Sequence, residues 1–249
     1  ENSYTTESAW NYPNNTQSSY YQKMGRPYDI KPEPEYQIGT LSGLMESNGN
    51  PSAIGTDNAG GPSYGLYQIA TTPGTMNAYI KYLQKNSKYQ DYANALNKAG
   101  GDEGAKIKSN KFANTWTQLS QDSNFNKSQL NFLIDTHLNP VIKNIQYQDV
   151  LNLENRHPVV KDALYSLSVQ HRKASQILNN TLQELSKNYG DNISDELLLK
   201  TLYRNRSNYV RSLPESEYIG DGKITHQEKD NIINNRYPAE LNRALQYVK

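Results

Sequence analysis

The sequence predicts a mainly α-helical chain with a small β-hairpin region. Three observations predict it. Apolar residues recur three or four positions apart from Tyr36 almost to the end. Only residues 49–75 interrupt that spacing, with clustered Gly and Pro. And the chain has 249 residues and no cysteine. A globular chain of that size buries roughly 70–75% of its unfolded surface, so packed helices suffice without disulfide staples.

The elements follow in order. Residues 1–35 hold four of the eleven prolines among many Asn, Ser and Thr, and read as an extended arm or linker. Trp10 and the pair Tyr20–Tyr21 are candidates to pin it down, and Pro32–Pro34 marks its boundary with a domain over 36–249. Ile38, Leu41, Leu44 and Met45 share one face of a first helix. After the Gly/Pro stretch, in which residues 64–69 read as a short strand, helical spacing resumes at Met76, Tyr79, Ile80 and Leu83. Phe112, Trp116 and Leu119 continue it, then Leu130, Leu133, Ile134 and Leu138. Ala163, Leu164 and Leu167 follow, then Ile177, Leu178, Leu182 and Leu185. Gly190 is a helix stop, and Ser194-Asp195-Glu196 a helix start. Thr225 and Glu228 have capping-box spacing, and Pro238 opens a last helix. The total is about nine helices and at most one small sheet.

Composition excludes several functions. Lys plus Arg number 26 against 25 Asp plus Glu, a net charge of +1, which argues against nucleic acid as the main partner. No run approaches the roughly 18 apolar residues of a spanning helix, so membrane insertion is not expected. Without cysteine there is no thiol nucleophile and no Cys-ligated zinc. Residue 1 opens no basic and apolar leader pattern, so no signal peptide is expected. Twenty tyrosines against three phenylalanines fit a codon bias, and also a polar ligand such as a sugar, stacked and hydrogen-bonded at once.

The segment that carries chemistry is Met45-Glu46-Ser47-Asn48-Gly49-Asn50-Pro51-Ser52-Ala53-Ile54-Gly55, followed by Asp57, Gly60-Gly61 and Ser63-Tyr64-Gly65-Leu66-Tyr67-Gln68-Ile69. Glu46 closes an amphipathic helix directly before a Gly-rich excursion. The macrodipole mildly disfavours an acid there. A carboxyl half-buried beside a groove is a candidate general acid, because one-sided desolvation helps it keep a proton.

These residues resemble the active-site stretch of the lysozyme-like superfamily. They are most similar to the peptidoglycan hydrolase domains of phage tails and type VI secretion spike proteins, relatives of the chitosanases. Pro73-Gly74-Thr75-Met76 and Leu167-Ser168-Val169-Gln170-His171 are similar to the same branch. The sharp match covers roughly residues 38–84, the weaker one 160–172. The resemblance implies a two-lobed helical domain with a cleft, and cleavage of β-1,4 glycosidic bonds in peptidoglycan strands. It implies a catalytic Glu46 as proton donor and, across the cleft, Asp57 as base or stabiliser, with no cofactor. Asp102, Glu103 and Asp135 are the fallback second carboxylates. Ser63, Tyr64, Tyr67 and Gln68 would bind substrate. If residues 64–69 form a strand, alternation makes Tyr64 and Gln68 the pair on the groove face. The resemblance also implies delivery by a secretion spike or phage tail into the periplasm of a target bacterium, with an immunity protein as a further partner. The rival readings are a chitosanase, a lytic transglycosylase, and a non-catalytic glycan-binding module.

The remaining motifs are weaker. His171 and His137 read as core or helix residues and His157 as loop. No Gly-x-Ser-x-Gly or His-Glu-x-x-His pattern is present. Residues 217–228 have EF-hand length, with Gly222, Ile224 and Glu228 in place, but Glu217 and Ile219 occupy ligand positions badly. A turn leading into a capped helix is the expectation there.

Overall fold

The computed structural model describes residues 36–57, 61–72, 74–214, 218–219 and 222–248. The expected arm, with Trp10, Tyr20, Tyr21 and the Pro32–Pro34 boundary, lies outside the described residues.

The described residues are mainly α, with a small sheet near the start. α1 (Thr40–Ser47) is followed by β1 (Ile54–Asp57), β2 (Gly61–Tyr64) and β3 (Ile69–Ala70), an antiparallel sheet in that order. Ile54 pairs with Tyr64, and Tyr64 with Ile69. Then come α2 (Thr75–Lys85), α3 (Gln90–Lys98), α4 (Gly101–Lys106), α5 (Asn110–Leu119) and α6 (Ser123–Leu133). These pack around Trp116, with Tyr64, Tyr79, Phe112 and Phe125 against its ring. The second group is α7 (Asn139–Lys143), α8 (Gln148–Leu151), α9 (Pro158–Gln170), α10 (Ala174–Tyr189), α11 (Asp195–Ser212), α12 (His226–Asn231) and α13 (Tyr237–Leu245). At its centre is α9, ten of whose thirteen residues are buried, Asp162, Ser166, Ser168 and Gln170 among them. α1, α10, α11 and α13 pack on it.

Nine of these helices have eight residues or more, and the sequence pointed to eight of them, all but α3. The short α4, α7 and α8 went unseen because four to six residues hold no full apolar period, whereas the equally short α12 was expected from its capping box. The stop at Gly190, the Ser194 cap and the Thr225–Glu228 capping box are all in place. A second sheet, β4 (Tyr218–Ile219) with β5 (Gly222–Lys223), was not expected. Two of its strand residues are those read as EF-hand positions 3 and 6, Ile219 and Gly222. Glu217, Gly220 and Asp221 lie outside the described residues.

Pro238 stands in the first turn of α13, as expected, but α13 is not a separate rod. α12 runs into α13 through a π-helical turn, Ile232–Arg236, closed by Tyr237 N–H donating to the Ile232 carbonyl. α6 runs into α7 through a second such turn, Ile134–Leu138. Each turn ends two residues before a proline, Pro238 and Pro140. A proline lacks the N–H that a carbonyl four residues back needs, and its ring crowds that carbonyl. One extra residue per turn absorbs the displacement without breaking the rod.

Candidate active site

Glu46 is the next-to-last residue of α1. α1 starts at Gly39, which has φ +94°; a Cβ there would come within 2.5 Å of the Tyr67 hydroxyl. Both the backbone and the space therefore require glycine. α1 ends at Asn48 in left-handed conformation, where the chain turns off towards the sheet.

Oε1 of Glu46 accepts a 2.7 Å hydrogen bond from Nη2 of Arg236, an ion pair spanning 190 positions. The Glu46 side chain is 18% exposed and that of Arg236 only 2%. Among the described residues, Oε2 of Glu46 makes no bond. The guanidinium thus holds the carboxyl through one oxygen.

Arg236 is the last residue of the π turn between α12 and α13, and from there its side chain reaches Glu46. Its neighbour Tyr237 is fully enclosed. The Tyr237 hydroxyl donates to Gln170 Oε1 at 2.6 Å and lies 2.7 Å from His171 Nε2. Arg206 Nη2 also donates to Gln170 Oε1, at 2.6 Å. The Arg206 guanidinium lies over the rings of Tyr237 and Tyr203, 4.4 and 4.9 Å from their centroids. Its nearest acid is Glu240, at 3.7 Å, and both side chains are wholly buried. Burial, with the charges of Arg206 and Arg236, holds the His171 imidazole well below its usual range, so it is neutral. Burial raises the Tyr165 phenol well above its usual range, helped by Tyr67 and by the charges of Asp162 and Glu46.

The sheet and the turn within it carry the other predicted site residues. Asp57 ends β1 opposite Gly61; its side chain lies outside the described residues. Lys108 Nζ donates to Thr56 Oγ1 at 2.7 Å, tying β1 to the loop before α5. Residues 64–69 are not one strand. β2 stops at Tyr64, a turn at Gly65 and Gln68 (φ +83° and +50°) follows, and β3 starts at Ile69. The expected alternation therefore fails. Tyr64 points into the core, fully buried, with its hydroxyl on the Ala105 carbonyl at 2.7 Å. Burial pushes that phenol up to about 12. It is no groove residue. Gln68 braces the sheet instead: Nε2 donates to the carbonyls of Gly65 (2.9 Å) and Ala53 (3.4 Å), and Oε1 accepts from Ser63 Oγ at 2.7 Å. Ser63 is buried. Tyr67 sits against Tyr165 and under Gly39, beside α1.

The fallback acids are occupied elsewhere. Asp102 and Glu103 both pair with Lys106, and Asp135 accepts from Asn139. Among the described residues, no three His, Asp or Glu side chains converge as a metal site would require. Sequence reasoning missed Arg236, Arg206 and Asp162, and singled out the stretch holding Gln170 without giving that residue a role. Asp162 carried a signal: an acid within Val159–Leu167, on a stretch otherwise fit for the core. Arg236, in an Asn-rich polar stretch, carried none.

A family model described as type VI secretion system spike protein VgrG3-like, C-terminal, matches residues 38–228. The spike protein VgrG3 of Vibrio cholerae serotype O1 is 28% identical over 152 residues, 59% of this chain. The match spans only 14% of that protein's own length. Among solved structures, a chitosanase mutant from Bacillus subtilis MY002, complexed with 6 GlcN, is 16% identical with a TM-score of 0.47 over 83% of this chain and 82% of that one. Chitosanase OU01 with substrate is 17% identical with a TM-score of 0.46 over 71% and 78%.

Proposed function

We propose that this chain, which belongs to the VgrG3-like C-terminal family of type VI secretion spike proteins, is a glycoside hydrolase that cuts β-1,4 bonds of peptidoglycan. The observation that carries the reading is the Glu46 carboxyl. It is largely enclosed, held through Oε1 by a buried Arg236, and has Oε2 unengaged at the end of α1 beside the sheet.

Glu46 is the proton donor in this reading. Its proton passes to the glycosidic oxygen as the bond from that oxygen to the anomeric carbon breaks. Water adds to that carbon and gives up a proton to Asp57, placed at the end of β1. The partner carboxylate acts as base, so the configuration inverts. In this reading Tyr67, beside α1, and Gln68, in the turn between β2 and β3, border the substrate. Ser63 contributes through its bond to Gln68. A spike carries the domain out of the producing cell, it works in the periplasm of the target bacterium, and the producer protects itself with an immunity protein.

The test is a zymogram on purified sacculi, with muropeptide mass spectrometry. Native protein clears the gel and releases reducing sugar ends; anhydro ends mean transglycosylation, and clearing of chitosan but not sacculi means a chitosanase. Glu46→Gln lowers turnover by about 100- to 10,000-fold, the span of general acid–base contributions. Clearing that survives this change overturns the reading. Asp57→Asn lowers turnover by about 100-fold; near-native turnover removes Asp57 from the mechanism.

A further inference from the structure

The N-terminus of α1 cannot be capped in the ordinary way. The favoured N-cap residues are Ser, Thr, Asp and Asn, whose side-chain oxygen takes an amide of the first turn. Here the position is Gly39, and the Tyr67 hydroxyl leaves no room for a Cβ. The cap comes from 121 positions away. Asp162, on α9 and fully buried, accepts the Leu41 N–H at 2.9 Å through Oδ2. The same oxygen accepts the Tyr36 hydroxyl at 2.6 Å. Burying a carboxylate is costly unless hydrogen bonds compensate it. A negative group at a helix N-terminus also gains from the macrodipole.

Asp162 belongs to a pattern. Asp162, Ser166 and Gln170 are four residues apart, so they share one face of α9. Asp162 holds the start of the helix that bears Glu46. Gln170, about 12 Å further along the axis, holds Tyr237, the residue after Arg236. Ser166, between them, is 3.4 Å from Arg206 Nη2. One rigid helix thus fixes both partners of the Glu46–Arg236 pair. Tyr36 directly follows segment 1–35, and its ring lies edge-on to His157 and Tyr247.

Resting on the proposed function, we infer that Asp162 is a positioning residue for Glu46, and that Tyr36 is the latch that shares its oxygen. Asp162 touches no substrate. It sets where α1 lies along α9, and so where the Glu46 carboxyl stands against Arg236. A misplacement of about 1 Å at a reacting group costs about 100-fold in rate.

The experiment compares Asp162→Leu, Asp162→Asn and Tyr36→Phe with native protein. It reads kcat and KM on sacculi well below each melting temperature, and the carboxyl carbon NMR resonance of Glu46. Asp162→Leu lowers kcat by about 100-fold with KM unchanged, and shifts the resonance. Asp162→Asn keeps an acceptor oxygen and recovers part of the rate. Tyr36→Phe keeps the ring packing, lowers kcat severalfold, and shifts the resonance in the same direction. A native kcat and an unmoved resonance in Asp162→Asn and Tyr36→Phe overturn the inference, whatever happens to melting. These two variants decide if Asp162→Leu does not fold. Native protein with no activity defeats the glycosidase reading alone; the resonance still decides the positioning role.

Discussion

The two halves of the candidate site rest on opposite kinds of interior. Under the sheet, the support is a cluster of rings: Trp116 at the centre, Tyr64, Tyr79, Phe112 and Phe125 around it. Under Glu46, the support is a seam of buried charge and amide: Arg236, Arg206, Glu240, Gln170, Tyr237 and His171. Rings give a platform that needs no partner beyond close packing. Charges give direction, because an ion pair fixes an angle as well as a distance, but each buried charge depends on its partner. The chain places the directional interior under Glu46, the proposed proton donor.

The largest effect should come from breaking that dependence. Arg206→Met leaves Glu240 buried without its cation and lowers unfolding stability by about 3–5 kcal/mol in urea titration. Adding Glu240→Leu recovers most of the loss, since a well-packed apolar pair replaces a buried ionic one at little cost. A single change worth under about 1 kcal/mol would mean the seam is held by packing alone. On the other side, Trp116→Ala costs a comparable 3–5 kcal/mol, roughly the cavity cost of a large buried ring. No second substitution at a polar partner recovers that loss, and the contrast in rescue is what separates the two interiors.

The next effect depends on pH. His171 is held neutral by burial first and then by Arg206 and Arg236. In the unfolded chain it takes a proton near pH 6.5; in the fold it takes one only far lower. Between those two values the unfolded state binds more protons, so stability falls as pH falls below about 6.5, by up to about 1.4 kcal/mol per pH unit. Above that pH this group adds no slope. His171→Gln should remove this part of the slope, measured as urea midpoints at pH 7.5 and 5.5. An unchanged slope would place a charged imidazole in the seam. The smallest effect is Tyr64→Phe. It deletes one hydroxyl on the Ala105 carbonyl, which also accepts from Lys108 N–H. Chemical denaturation should show a loss of about 1 kcal/mol. Activity should be unchanged, because the ring faces the core; a large loss of turnover at full stability would return Tyr64 to the groove.

Much of this was legible before any coordinates. Glu46 stood out because an acid closed an apolar helix just before a Gly-rich turn. Apart from α3 (Gln90–Lys98), the helices of eight residues or more were legible in apolar spacing or in their caps. Caps at Ser194, Thr225 and Gly190 were readable because a cap is a local bargain between a side chain and its own next turn. Strand alternation at 64–69 misled, because Gly65 and Gln68 adopt positive φ and turn the chain within what reads as one strand.

The sequence by itself determined the class of fold, the helix ends and the carboxyl to watch, since all three depend on residues within a few positions of one another. Only the tertiary structure decided what grips that carboxyl. Arg236 lies 190 positions from Glu46, and Asp162 lies 121 from the amide it caps. Such pairs are chosen by which helices share a buried face, and no local pattern of residue types encodes that choice.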